Sequence, residues 1–176
     1  EVDGEADAVL ALAGYEPIDV SRFVDIAPEE ISGKVSGIVE ADIPLQPGIP
    51  IESLDWRVAL DYEGLALARP FEGQTVTHAA GSIVVDPSKA VIEAKATMNG
   101  APATVHLVEP LGPDKSERSR RIALQLDDKA RRALAPGLDT ILSGMTELQL
   151  DDATEGKRAI KVALDRATLS LPWVGW

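Results

Sequence analysis

The 176-residue chain has no cysteine and few aromatic residues. Without cysteine, disulfides, thiol catalysis and cysteine-ligated zinc or iron–sulfur sites are excluded. Aromatic residues make up only 4% of the chain, although 45% of it is hydrophobic. An apolar surface must therefore be built mainly from Val, Ile, Leu and Ala, and we expect it to be smooth and aliphatic.

Basic residues are also scarce, because 17 Lys and Arg stand against 29 Asp and Glu for a formal net charge of -12. Phosphate backbones and anionic bilayer surfaces are bound through concentrated Lys and Arg, so we expect no nucleic-acid partner. No apolar run approaches the roughly 18 residues that a membrane-spanning helix needs, and no signal peptide is visible. We therefore expect the chain to be soluble. Since the sequence opens at Glu1 rather than at Met, we also expect it to be a fragment or a processed product.

The chain does contain a long series of segments in which every second residue is apolar. The clearest example is residues 81–109, where three such segments are joined by turns at 86–89 and 99–102. A period of two is typical of strands with one dry face, and the turns contain Pro, Asn, Asp and Gly. These residues predict an antiparallel meander with one apolar side and one polar side.

The same alternation extends from Ile31 to the end of the chain and predicts roughly ten strands. A turn at Glu63-Gly64, a break after His78 and a break between Leu164 and Ala167 each divide two short predicted strands.

Two segments instead predict short helices. Residues 6–13 are rich in helix formers and precede Gly14, and residues 127–135 begin at an Asp cap and precede Pro-Gly. Weaker helical signals lie at 21–26 and 27–30.

The predicted fold class is therefore all-β, mainly antiparallel: a twisted, curved, one-sided sheet or β-groove, with short helices near the N-terminus and at 127–135. We interpret residues 1–176 as a single segment of a larger protein. Within it, residues 1–30 are a partly helical lead-in and residues 31–176 form the sheet groove.

No residue pattern predicts an enzyme. His78 and His106 lie on the more polar sides of predicted strands without further metal ligands nearby, so surface histidines are the better interpretation. Residues 151–156 have the composition of a calcium loop but not its ligand spacing, and a solvated hairpin turn explains them. No nucleophile elbow or phosphate-binding glycine loop is present, and we predict neither catalysis nor a cofactor or metal.

The one basic cluster comprises Lys115, Arg118, Arg120 and Arg121. Acidic residues are mixed into the same segment, so we interpret it as a solvated loop. The alternative is contact with an anionic head group, with Arg131 and Arg132 close by across the strand at 122–126.

Three segments together resemble a known family: SGKVSGIVEADIPL at 32–45, VEPLG at 108–112 and LDRATLSLPWVGW at 164–176. Their order, with an alternating meander between them, is similar to the periplasmic region of AsmA-like proteins of the YhdP type in proteobacterial envelopes. The resemblance covers roughly residues 30–176.

In that family, one N-terminal membrane helix precedes a very long curved β-groove that is thought to carry phospholipid tails between the inner and outer membranes. The resemblance implies that this chain is one segment of such a groove, in the periplasm, in a parent protein anchored to the inner membrane. Its implied partners are phospholipid acyl chains and neighbouring groove segments of the parent chain. We also expect the excised segment to associate with itself through unpaired sheet edges.

The alternative hypothesis is a structural or interaction module of the envelope, with a closed hydrophobic core under the two helices and no lipid ligand. If the groove hypothesis holds, lipid contacts come from the apolar positions that alternate along the strands. These candidates are Val39, Ala41, Ile43, Trp56, Val58, Leu60, Ile83, Val85, Ile92, Ala94, Ala96, Val105, Leu107, Ile122, Leu124, Leu148, Leu150, Val162, Leu164 and Leu169.

Overall fold

The described residues form one open antiparallel sheet whose nine strands follow each other in chain order. This computed structural model describes residues 1–15, 25–42, 55–70, 73–111, 118–134, 136–152 and 158–171. Each strand pairs antiparallel with the strand before it, which confirms the predicted all-β, mainly antiparallel fold. The strands are β1 (Val2–Glu5), β2 (Ile31–Asp42), β3 (Asp55–Leu67), β4 (Val76–Val85), β5 (Lys89–Met98), β6 (Ala101–Pro110), β7 (Ser119–Leu126), β8 (Leu142–Asp152) and β9 (Arg158–Leu169).

Two short α-helices lie at the predicted places, α1 at Ala6–Ala13 and α2 at Asp128–Leu134. The weaker helical signal at 27–30 is a single 3-10 turn, Pro28–Glu30, that leads directly into β2. The signal at 21–26 lies mostly outside the described residues.

Three of the predicted strand breaks are wrong, because the chain passes through each of them without leaving the sheet. The pairing of β3 with β4 becomes irregular at Glu63-Gly64, where Gly64 has a left-handed φ of 63°. β4 bulges at His78, which has a φ of 53°, and β9 shifts its register between Ala163 and Arg166. A bulge accommodates extra residues while the hydrogen-bonded ladder continues on both sides. The short predicted strands therefore merge in pairs.

The first strand, by contrast, has no counterpart in the sequence prediction. β1 pairs Val2 with Gly37 and Glu5 with Lys34, so the N-terminal lead-in supplies one edge of the sheet. Four residues are too few for an alternation that would predict a strand.

The two hairpin turns of the central meander have the geometry that their residues predict. Asn99 and Gly100 have φ values of 50° and 81°, the positive values that a tight two-residue turn requires. In the preceding hairpin, the Asp86 carboxylate accepts hydrogen bonds from the backbone amides of Ser88 and Lys89 at 2.8 and 3.0 Å. Local side-chain chemistry thus sets both turns.

The register of the strands divides the sheet into two faces, because residues paired across neighbouring strands project from the same side. We call the side that bears Val58, Leu60 and Tyr62 the apolar face. The opposite side, which bears Arg57 and Asp61, is called the polar face.

Burial on the apolar face is concentrated at one end of the strands. Both α-helices lie at the end where β2 begins and β3 finishes, which we call the helix end; the opposite end is the far end. There α1 inserts Ala6 between the side chains of Val35, Tyr62 and Ala79, and Val9 packs against the same cluster. Among the described residues, the buried hydrophobic side chains are Ala6, Val35, Tyr62, Ala79, Ala101, Ala103 and Leu126.

Tyr62 is the largest side chain of this core and is 7% exposed. It pairs with Gly81 of β4, and its hydroxyl donates a 2.9 Å hydrogen bond to the carbonyl oxygen of Glu93 on β5. The ring therefore crosses β4 at the residue without a side chain. A Cβ on Gly81 would lie 1.9 Å from that same carbonyl oxygen, so glycine is required there.

The second helix is fastened to the sheet by Arg131, whose side chain is 3% exposed. Its Nη1 donates to the Gly144 carbonyl oxygen at 2.8 Å and to Thr146 Oγ1 at 3.0 Å. Its Nη2 donates to the Leu142 carbonyl oxygen at 2.9 Å and to the Asp128 carboxylate. One guanidinium group thus joins α2 to the start of β8.

Candidate functional site

The predicted contact residues are brought together on the apolar face in rows that run across the strands. Trp56 pairs with Ala41, and the other rows follow from the pairing of successive strands. They are Val39, Val58 and Val85; Leu60, Ile83, Ile92 and Leu107; Ala94, Val105, Ile122 and Leu150; and Ala96, Leu124, Leu148 and Val162.

Three candidates fall outside these rows. Ile43 lies outside the described residues. Leu164 lies where β9 shifts register, and Leu169 pairs with Leu142 on β8.

Exposure of the candidates increases from the middle of the sheet towards its two sides. All candidates on β3 to β8 are half-buried. On β2, Val39 is 47% exposed, and on β9, Val162 and Leu169 are each 55% exposed. A row of aliphatic side chains on one face shields its own middle members, whereas the outer members have a neighbour on one side only.

Sequence reasoning missed the part of the apolar face that lies nearest the helices. Tyr62, Ala103 and Leu126 belong to the same face and are among the buried hydrophobic residues. The alternation pattern contained them, since each continues the period of two in its strand, but nothing local distinguishes a position that a helix will cover.

The polar face is not polar throughout, because one row of apolar residues crosses it. Ile38, Ala59, Val84, Val91 and Val108 are paired in succession on that face. The signal was available, because each of these residues is next in sequence to an apolar residue of the other face. Consecutive apolar residues in a strand place one on each side.

Elsewhere on the polar face, Asp151 is the centre of a charged cluster that connects three strands. Its carboxylate accepts hydrogen bonds from Gln149 Nε2 at 2.9 Å, Lys161 Nζ at 3.1 Å and Arg121 Nε at 3.1 Å. The hydrogen bond from Gln149, followed by those from Lys161 and Arg121, lowers the pKa of Asp151 to about 2. This cluster stays ionised and structural; the rest of the predicted turn at 153–156 lies outside the described residues.

The two histidines do not converge. His78 is exposed at the bulge of β4, whereas His106 lies on the polar face of β6 with Nδ1 3.4 Å from a carboxylate oxygen of Glu93. Within the described part of the chain, no three His, Asp or Glu side chains are grouped as metal ligands.

The predicted basic cluster is divided among separate ion pairs. Arg118 binds Glu109, Arg121 binds Asp151, and Lys115 lies outside the described residues. Arg131 is buried at the helix end, whereas Arg118 precedes the first residue of β7 at the far end. The expectation that Arg131 and Arg132 lie near the cluster is wrong, because both are on α2 and the full length of β7 separates α2 from Arg118.

The apolar face therefore offers aliphatic contact area in its central rows. Two of these rows end at charged residues, the row of Val85 at Glu109 on β6 and the row of Leu107 at Arg120 on β7. The aliphatic part is suited to an apolar ligand or to another protein surface. None of the helices in the described ranges is long and apolar enough to cross a membrane. Comparison with known protein families, with curated proteins and with solved structures finds no match to this chain.

Proposed function

We propose that this chain is one segment of an AsmA-like groove of the YhdP type, in the periplasm, within a parent protein anchored to the inner membrane. In this proposal the apolar face receives phospholipid acyl chains on their way between the inner and outer membranes. Neighbouring segments of the parent chain continue the sheet at its edges. The segment binds and guides lipid and performs no chemical step.

The observation that best supports a lipid ligand is the continuity of the apolar face. The row that begins at Tyr62 passes through Gly81, Ala94 and Val105 and ends at Ile160 on β9, without a charged residue. An acyl chain needs no directional partner, because each buried methylene group contributes about 0.8 kcal/mol through the hydrophobic effect. Aliphatic rows with exposed outer members fit such a ligand.

A second candidate function, a structural envelope module, is favoured by the helix end alone. There α1 and the buried Arg131 cover the apolar face and form an ordinary core. This function requires the remaining apolar rows to be covered by protein as well. The two candidates therefore differ in what contacts the far end of the face.

Photocrosslinking separates them. The purified chain is incubated with phosphatidylethanolamine vesicles that contain a photoreactive acyl chain, and Val58→Asp is compared with the unmodified protein. Val58 is half-buried on the apolar face near the far end, so an unpaired carboxylate there opposes acyl-chain binding. We expect crosslinking to fall at least about tenfold, with the melting transition retained.

Thr104→Asp is the matched control, because it places the same carboxylate on the exposed polar face opposite Lys95. It should crosslink like the unmodified chain. If Val58→Asp unfolds while Thr104→Asp melts normally, the closed core is correct and the groove is rejected. Equal crosslinking of both variants would also reject acyl-chain contact at this face.

A further inference from the structure

The two edges of the sheet differ in length and in charge. At the first edge, β1 covers only residues 34–37 of β2, and the following residues of β2 pair with β3 alone in the described structure. That uncovered stretch, residues 38–42, is exposed along its whole length, with Ile38 55% and Val39 47% exposed. Glu40 and Asp42 project from its polar face. The first edge is therefore acidic and incompletely paired.

The other edge is β9, a strand of 12 residues that is paired on one side only within the described residues. Its residues 160–166 are all exposed. Ile160 and Val162 project on the apolar face, whereas Lys161 projects on the polar face, where Arg166 also lies opposite Met145. This edge is apolar on the same side as β2, and before the register shift its polar face carries the basic Lys161, whereas β2 carries the acidic Glu40 and Asp42. Asp165 and Arg166 follow beyond Ala163.

We propose that copies of this chain, when separated from the segments that would continue its edges in a parent protein, associate head to tail, with β9 of one copy added to residues 38–42 of β2 in the next. One antiparallel register satisfies both faces at once. It pairs Val162 with Val39 and Ile160 with Ala41 on the apolar face, and Lys161 with Glu40 on the polar face. The backbone groups that a free edge leaves unpaired then complete a ladder across the junction.

The charges around this junction alternate in sign. Glu40 is already paired with Arg57 inside its own sheet, and Lys161 already contacts Asp151 at 3.1 Å. Joining Glu40 to Lys161 therefore places each charge between two of opposite sign. A symmetric pairing of β9 with β9 in the register that sets Lys161 opposite Arg166 would instead bring like charges together.

The length of the contact also has a structural limit. β1 occupies β2 from residue 37 downwards, so an added strand can follow β2 only over residues 38–42. β9 shifts its register just after Ala163, at the place where it must diverge from the occupied part of the edge. Because donor and acceptor edges are different, the contact does not close on itself and permits chains of more than two copies.

Charge exchange tests this pairing. In Lys161→Glu, two carboxylates face each other at the junction, one at position 161 and one at Glu40 of the next copy. In Glu40→Lys, two ammonium groups face each other, one at position 40 and one at Lys161. Copies of either variant alone therefore repel each other at the junction. We expect the self-association constant of each, measured by sedimentation velocity, to fall at least about tenfold. Mixing the two variants restores opposite charges at both kinds of junction and should restore association. Lys95→Glu, an exposed residue on the central strand β5, is the control and should associate normally.

Disulfide crosslinking tests the register, since the chain has no cysteine of its own. Val39→Cys combined with Val162→Cys should give a ladder of covalent oligomers under mild oxidation. Within one copy these strands are seven positions apart, or about 34 Å, which excludes an internal disulfide. Val39→Cys combined with Ala159→Cys is out of register and should crosslink at least about tenfold less.

These experiments do not depend on what binds the apolar face, so the lipid proposal and the edge pairing succeed or fail separately. A strictly monomeric chain at high concentration would overturn the edge pairing. So would a closed dimer that forms no larger species, or association that both charge variants retain. Preferential crosslinking of the out-of-register pair would overturn the proposed alignment.

Discussion

On the apolar face, the inner strands near the helix end and the outer strands β2 and β9 are built from the same kinds of residue but differ in how they are covered. At the helix end, α1 and α2 press on the sheet, and Tyr62 and Ala103 are 7% and 5% exposed. Towards the uncovered sides of the sheet, Val39 and Ile160 are 47% and 64% exposed on the same face. Alternation thus creates an apolar face, whereas burial of that face depends on elements from elsewhere in the chain.

The helix end also differs from the polar face in how its charged side chains are bonded. A buried guanidinium with four hydrogen-bonding partners supports the helix end, and only its Nε lacks a partner among the described residues. In the salt bridge between Lys161 and Asp151 on the polar face, the Lys161 side chain is 69% exposed, and ion pairs open to solvent contribute less to stability. We therefore expect the stability of the fold to depend on the helix end, leaving the remainder of the apolar face available for binding.

The largest contrast is expected when the same charge is placed at the two locations. Ala103→Asp places a carboxylate where the native side chain is 5% exposed and should cost at least about 3 kcal/mol of unfolding free energy or prevent folding. Val162→Asp, on the exposed side, should cost less than about 1 kcal/mol. Chemical denaturation at dilute concentration measures both, and similar costs would show that the apolar face has no such division.

The next largest effect concerns the attachment of α2. Arg131→Met leaves the Leu142 and Gly144 carbonyl oxygens without their donor and should cost about 2 to 4 kcal/mol. Lys129→Met, on the exposed surface of the same helix, is the control and should change stability by less than about 0.5 kcal/mol. Equal thermal denaturation curves for the two variants would exclude a structural role for the guanidinium.

A smaller effect is expected for the tyrosine hydroxyl in the core. Burial raises the pKa of Tyr62, and its hydroxyl donates to the Glu93 carbonyl oxygen. Tyr62→Phe removes this bond and should cost about 1 kcal/mol. The only other tyrosine, Tyr15, is 71% exposed, so Tyr15→Phe provides a control within 0.5 kcal/mol or so of the unmodified chain. Denaturant unfolding measures both variants, and an equal loss of stability would contradict a stabilising role for the Tyr62 hydrogen bond.

The smallest effect is the pH dependence of the stability that the Asp151 cluster on the polar face contributes. The pKa of Asp151 falls from 3.8 to about 2 on folding, so its ion cluster stabilises the protein above the unfolded pKa. That contribution is lost as pH falls from about 4 to about 2. In Gln149→Ala, which removes the first of the causes, the pKa should move up towards 3.8. Carboxyl NMR titration measures it, and an unchanged value would reject the assigned cause.

The sequence by itself determined the strand class, the dry face and the hairpins, because each depends on local geometry. Side chains alternate between faces every two residues, and Asn99-Gly100 favours the left-handed backbone of a tight turn regardless of its surroundings. The two α-helices followed equally from helix formers with a local start and stop.

Only the tertiary structure decided which strands continue through an apparent turn, which side chains are buried and which strand lies at an unpaired edge. Glu63-Gly64 resembles a turn locally, but pairing on both sides of it keeps β3 in the sheet as a bulge. Arg131 is an ordinary helical residue until β8 supplies its carbonyl partners, and Lys161 belongs to a free edge only because no tenth strand pairs with it in the described structure. These properties depend on contacts between residues distant in sequence, which local patterns do not encode.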